Sequence, residues 1–241
     1  MSNPDFYARS ERGLRTRNDD AYCAERIGDY LVFAIAEGLA GHPYGDIASM
    51  AAIESLKGTV KSTSGSPQDI LTTAIRNADA EIRALSRRSP KHAGLATRLV
   101  ACIIDKKMGC TVIDIGGENC YVITENSIEN ALDTARARHL SGSRPLPHPT
   151  NQPPSLSDMI SHALGEPYRL RDTDFSKFTL GNEFLLLSSD GLTDVLGKEG
   201  IAEIVRKNEG NIDITCEVLV QEAMNNGSDS TITVVLIHGK E

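Results

Sequence analysis

The run Phe184-Leu185-Leu186-Leu187-Ser188-Ser189-Asp190-Gly191 drives an unbroken apolar segment straight into an acid and a glycine. A short apolar run with no alternating polar residues reads as a strand buried on both faces. Such a strand needs a layer on either side, so the chain must fold in stacked layers. Its abrupt end delivers one carboxylate to the rim of a rigid sheet, where a hard metal ion could be held. Leu31-Val32-Phe33-Ala34-Ile35-Ala36-Glu37-Gly38 has the same build. Gly227-Ser228-Asp229-Ser230 leads into a third apolar run, Thr231-Ile232-Thr233-Val234-Val235-Leu236-Ile237. Asn18-Asp19-Asp20 adds further acids near the start. Dispersed acids at strand ends are how a divalent-metal hydrolase is assembled.

Charge and cysteine usage exclude several function classes. The formal net charge of -8 opposes non-specific binding to nucleic acid or an anionic membrane. Apolar residues make up 40% of the 241 positions, enough for a sizeable core in one domain. The five cysteines (Cys23, Cys102, Cys110, Cys120, Cys216) form no C-x-x-C pair and sit mostly in apolar runs. They read as reduced thiols of a cytoplasmic protein. The polar opening Met1-Ser2-Asn3-Pro4-Asp5 is no secretory signal, and no apolar run approaches the roughly 20 residues of a membrane span. The histidine spacing gives no zinc motif.

The pattern predicts strands over 20–26 and 30–36 around a Gly28-Asp29 hairpin turn. Helices follow after Gly45 and from about Pro67. Strands are expected over 97–104, 110–115 and 120–124, and a short helix over 128–138. Residues 141–155, rich in Pro, Ser, His and Asn, are expected to form a mobile surface loop. A strand over 184–189, helices over 200–207 and 214–224, and a strand over 230–237 complete the chain. Strands, two helices, strands and two helices make an α+β layered fold.

Five motifs, in order, carry a resemblance: Gly13-Leu14-Arg15-Thr16-Arg17-Asn18-Asp19-Asp20, Ala36-Glu37-Gly38-Leu39-Ala40-Gly41-His42, His162-Ala163-Leu164-Gly165, Ser189-Asp190-Gly191, and Ser228-Asp229-Ser230-Thr231. Together they resemble the PPM/PP2C family of metal-dependent Ser/Thr protein phosphatases along nearly the whole chain. The resemblance implies a single domain over 1–241 with a variable, flap-like segment at about 126–160. It implies a four-layer α/β/β/α sandwich, two antiparallel sheets flanked by helix pairs. It implies two Mn²⁺ or Mg²⁺ ions and a metal-bridging water that attacks phosphorus. Asp19, Glu37, Gly38 (through its carbonyl), Asp190 and Asp229 take the metal-ligand positions. Arg15 would grip the substrate phosphate and Asp20 would orient water. Phosphoprotein substrates, a cognate Ser/Thr kinase and a monomeric state are the partners expected.

Three positions depart from the family pattern besides His162, which replaces an arginine. Glu37 stands where the family has aspartate, and its extra methylene moves the carboxylate by about 1.5 Å. Gly117 replaces an aspartate that helps hold a third ion, so no third ion is expected. Ala40 replaces a glycine. These departures leave a second reading beside the enzyme: a catalytically silent phosphatase-like module that binds a partner or phosphoprotein.

Overall fold

A computed structural model of the chain describes residues 4–39, 44–117, 119–132, 162–167, 170, 174–208 and 211–240. Among the described residues, ten strands pair into two antiparallel five-stranded sheets. One sheet carries β2 (Asp20–Ile27), β3 (Tyr30–Gly38), β4 (Thr97–Ile104), β5 (Gly109–Ile115) and β8 (Phe175–Thr179), in that spatial order. The other runs β1 (Asp5–Glu11), β10 (Ile232–His238), β9 (Phe184–Ser188), β6 (Asn119–Ile123) and β7 (Ile128–Asn130).

Alternation along the buried strands separates three apolar layers. Val32, Ala34 and Ala36 of β3 point outward, onto α1 (Gly45–Ser62) and α2 (Pro67–Arg88). Leu31, Phe33 and Ile35 point inward and meet Leu185, Leu187, Val235 and Ile237 of the facing sheet. Leu186, Val234 and Leu236 point out again, onto α3 (Asp190–Lys207) and α4 (Ile212–Asn225). The result is the four-layer α/β/β/α sandwich expected from the resemblance. Both faces of β3, β4, β9 and β10 are covered, which is why their sequences lack polar alternation.

Local signals set the element ends. The Ser66 hydroxyl accepts from the Asp69 amide at 3.2 Å, and Pro67 opens α2. Gly28, at φ 58°, makes the tight turn between β2 and β3. Gly197, at φ 64°, breaks α3 into two pieces across a kink. The first piece starts at Asp190, so helix precedes the segment 200–207 read from periodicity.

One expectation is corrected. Ile128–Asn130 is a strand pairing with β6, and helix begins only at Ala131, three residues after the start expected for a helix over 128–138. Backbone pairing at the sheet edge outweighs helical spacing there, and residues 133–138 lie outside the described set. Most of the variable segment 126–160, the loop 141–155, Ala40, His42 and Glu118 also lie outside it.

Candidate active site

At one end of the inter-sheet core, apolar side chains give way to charge. Glu37 continues the inward alternation of Leu31, Phe33 and Ile35, and Arg98 that of Val100, Cys102 and Ile104. Register places Asp20 beside Glu37, and Glu37 beside Arg98. Three charged residues therefore form one row across β2, β3 and β4. Two acids side by side repel, and each is compensated differently.

Asp20 receives hydroxyl donors from the facing sheet. Thr231 Oγ1 donates to its Oδ1 at 2.7 Å, and Thr233 Oγ1 to its Oδ2 at 2.6 Å. Glu37 is met by Arg98, whose Nη2 donates to Oε1 at 3.2 Å. The backbone amide of Asp190 donates to Glu37 Oε2 at 3.3 Å. The other arm of the same guanidinium, Nη1, donates to Asp190 Oδ2 at 2.6 Å. Asn119 Nδ2 then reaches Asp190 Oδ1 at 3.1 Å and Thr193 Oγ1 at 2.7 Å. Tyr121 secures Asn119 by donating its hydroxyl to Oδ1 at 2.7 Å. Asp190 opens α3, where the helix dipole favours a negative charge.

Burial dominates the acidity of these groups. It pushes Glu37 up to about 7, against the pull of Arg98 and with the Asp20 and Asp190 charges adding to the rise. Asp20 is likewise raised by burial, while the hydroxyls of Thr233, Thr231 and Ser189 oppose the shift. Asp194 is raised by burial and by the negative charges of Asp190 and Asp229, opposed by Arg98.

The remaining residues picked from sequence surround this row. The Gly38 amide donates to the Asp19 carbonyl at 3.0 Å, which brings Asp19 to the end of β3. Gly38 has no room for a Cβ, because the Gly45 backbone lies against it. Asp19 Oδ1 is buried without a hydrogen-bond partner, and the nearest cationic atom, Arg17 Nε, is 4.0 Å away. Arg15 is exposed and donates from Nη2 to Ser230 Oγ at 3.2 Å, on the same loop as the exposed Asp229. Asp20, Glu37 and Asp190 are thus brought together around Arg98. Asp19 stands at the adjoining turn, and Arg15 and Asp229 at the outer loop. Among the described residues, no three His, Cys, Asp or Glu side chains form a ready metal cluster.

The Protein phosphatase 2C family model matches residues 171–232. Serine/threonine phosphatase Stp of Listeria welshimeri is 24% identical over 95% of this chain and 93% of its own length. Protein phosphatase PhpP of Streptococcus pneumoniae is 28% identical over 94% of both chains. The chain is similar to these phosphatases along most of its length, and to the Protein phosphatase 2C family model over that one segment. A crystal structure of the catalytic domain of the phosphatase PstP, in complex with two manganese ions, superposes with a TM-score of 0.76. That likeness covers 98% of this chain and 97% of that one at 22% identity, and it concerns the fold.

Sequence reasoning passed over Arg98, Asn119, Tyr121, Thr231 and Thr233. A signal for Arg98 was present. It is the one charged residue in Thr97–Ile104, on the inward parity of a strand buried on both faces, and a buried cation requires a partner. The threonines look like ordinary strand residues until the facing sheet supplies an acid.

Proposed function

We propose that this chain is a Mn²⁺- or Mg²⁺-dependent phosphatase acting on phosphoserine and phosphothreonine of proteins, as one domain over 1–241. The observation that carries this reading is the convergence of Asp20, Glu37 and Asp190 at the end of the inter-sheet core. The phosphatase names of Stp and PhpP support it. The two manganese ions of the PstP structure support a divalent cofactor.

The donor set fits a hard cation in part. Carboxylates are the oxygen ligands such ions take, and Asp19 Oδ1 is a buried acceptor with no hydrogen bond. Asp19, Glu37, Asp190, Asp229 and the Gly38 carbonyl are the residues that would hold ions, and an ion held by Glu37 and Asp190 together would have to displace Arg98. Bound ions would acidify a water shared between them and neutralise phosphoryl oxygens. Arg15, exposed at the mouth, would hold the substrate phosphate in its planar fork. Asp20, fixed by two hydroxyls, would orient water without leaving its place.

The test is hydrolysis of a phosphothreonine peptide against Mn²⁺ and Mg²⁺ concentration, with Asp190→Ala as blank. Saturable, metal-dependent turnover that falls at least about a hundredfold in the variant is the expected result. Turnover indistinguishable from the blank, in folded protein, would reject the enzyme. A silent, partner-binding module is the second reading, favoured by the ion pairing of Arg98 with Glu37 and Asp190.

A further inference from the structure

We propose that Arg98 fills the place of one cation in this site, and that removing its guanidinium opens one more divalent-metal position between Glu37 and Asp190. The inference rests on the metal-dependent reading above, and goes beyond it in naming what governs the number of ions.

The geometry is that of a built position. Nη1 and Nη2 are divided between two carboxylates, at 2.6 Å to Asp190 at the start of α3 and 3.2 Å to Glu37 on β3. All four oxygens of that pair already accept a hydrogen bond, two from Arg98, one from the Asp190 amide and one from Asn119. The Arg98 side chain is only 16% exposed. Its stem runs over Gly116, where an added Cβ would overlap Cγ and lie 2.8 Å from Cδ. A glycine at φ 110° therefore leaves the channel through which the arginine reaches the acids.

An ion seated between Glu37 and Asp190 would have to replace those guanidinium contacts and sit beside a fixed positive charge. Losing a charge-assisted hydrogen bond corresponds to about tenfold to a hundredfold in a binding constant, so the arginine strongly disfavours that seat. Asp19 takes no part in this contact, and its buried Oδ1 has no hydrogen-bond partner. The native chain is thus poised to take cations at Asp19 while Arg98 serves Glu37 and Asp190.

Isothermal titration calorimetry with Mn²⁺, without substrate, compares the native chain with Arg98→Ala. Arg98→Gln, which keeps a hydrogen-bonding side chain without the charge, serves if the alanine variant does not fold. The expected result is one additional Mn²⁺ per chain in the variant, at micromolar affinity, lost again in Arg98→Ala/Asp190→Ala. The same number of ions with affinities unchanged within about threefold, in both backgrounds, overturns the proposal. So does an added ion that survives loss of Asp190. Ion counting needs no turnover: an extra ion in a chain that never hydrolyses phosphopeptide sinks only the phosphatase reading.

Discussion

Thr233→Val is the sharpest probe of how the site is held together. The substitution keeps side-chain shape and removes one hydroxyl, which donates to Asp20 Oδ2 at 2.6 Å and lies 2.7 Å from Ser10 Oγ. Thr233 is fully buried, so no water replaces it. A hydrogen bond to a charged group is worth about 1.5–3 kcal/mol. For a domain of this size each kcal/mol moves the melting temperature by about 2–4 °C, giving a fall of roughly 3–12 °C. The pH dependence has a definite sign. Asp20 is raised by burial, so it binds its proton more tightly folded than unfolded. The stability it lends is complete below its unfolded value and is lost as pH rises through its folded value. The Thr233 hydroxyl opposes that loss by favouring the carboxylate, so Thr233→Val should steepen the decline. Calorimetric melts in chelator from about pH 4.5 to 8 would read both effects. Asp20→Asn supplies the reference, because the valine costs less beside a neutral amide. An equal cost in both backgrounds, or none, would refute the assignment of Thr233 as a donor to a buried carboxylate.

Two other measurements test different parts of the fold. Gly191→Ala should destabilise by about 1–3 kcal/mol in urea unfolding, since its Cβ would press on the Thr231 carbonyl oxygen; an unchanged midpoint would mean that the loop yields freely. All five cysteines are free and buried, and burial pushes Cys23 and Cys216 up to about 12. An aromatic disulfide reagent should therefore find five thiols in denatured protein and none, over minutes, in native protein. Rapid native labelling would place at least one cysteine wrongly.

What the sequence revealed, and what it hid, divides along the sheets. Interior strands β3, β4, β9 and β10 were legible because two-sided burial leaves only apolar residues. Edge strands β1, β7 and β8 were not, since one side of each is unpaired and its residues are half exposed. Helices α1 and α2 showed their apolar stripes, whereas the kink at Gly197 hid the first turns of α3. For the site, acids at strand ends could be read one segment at a time. Arg98 could not be paired with them, because its contacts with Glu37 and Asp190 span 61 and 92 positions of chain.

The position of β10 has a consequence for making and trimming the protein. It is the last of the ten strands among the described residues, yet it lies inside its sheet, between β1 and β9. During synthesis, β1 and β9 wait for their shared neighbour until every other described strand has been made. Thr231 and Thr233 arrive with it, so Asp20 stays unmatched until that moment. A protease that cut between α4 and β10 would remove no dispensable fringe. It would cut β1 off from the rest of its sheet and unseat the buried acid in the same stroke.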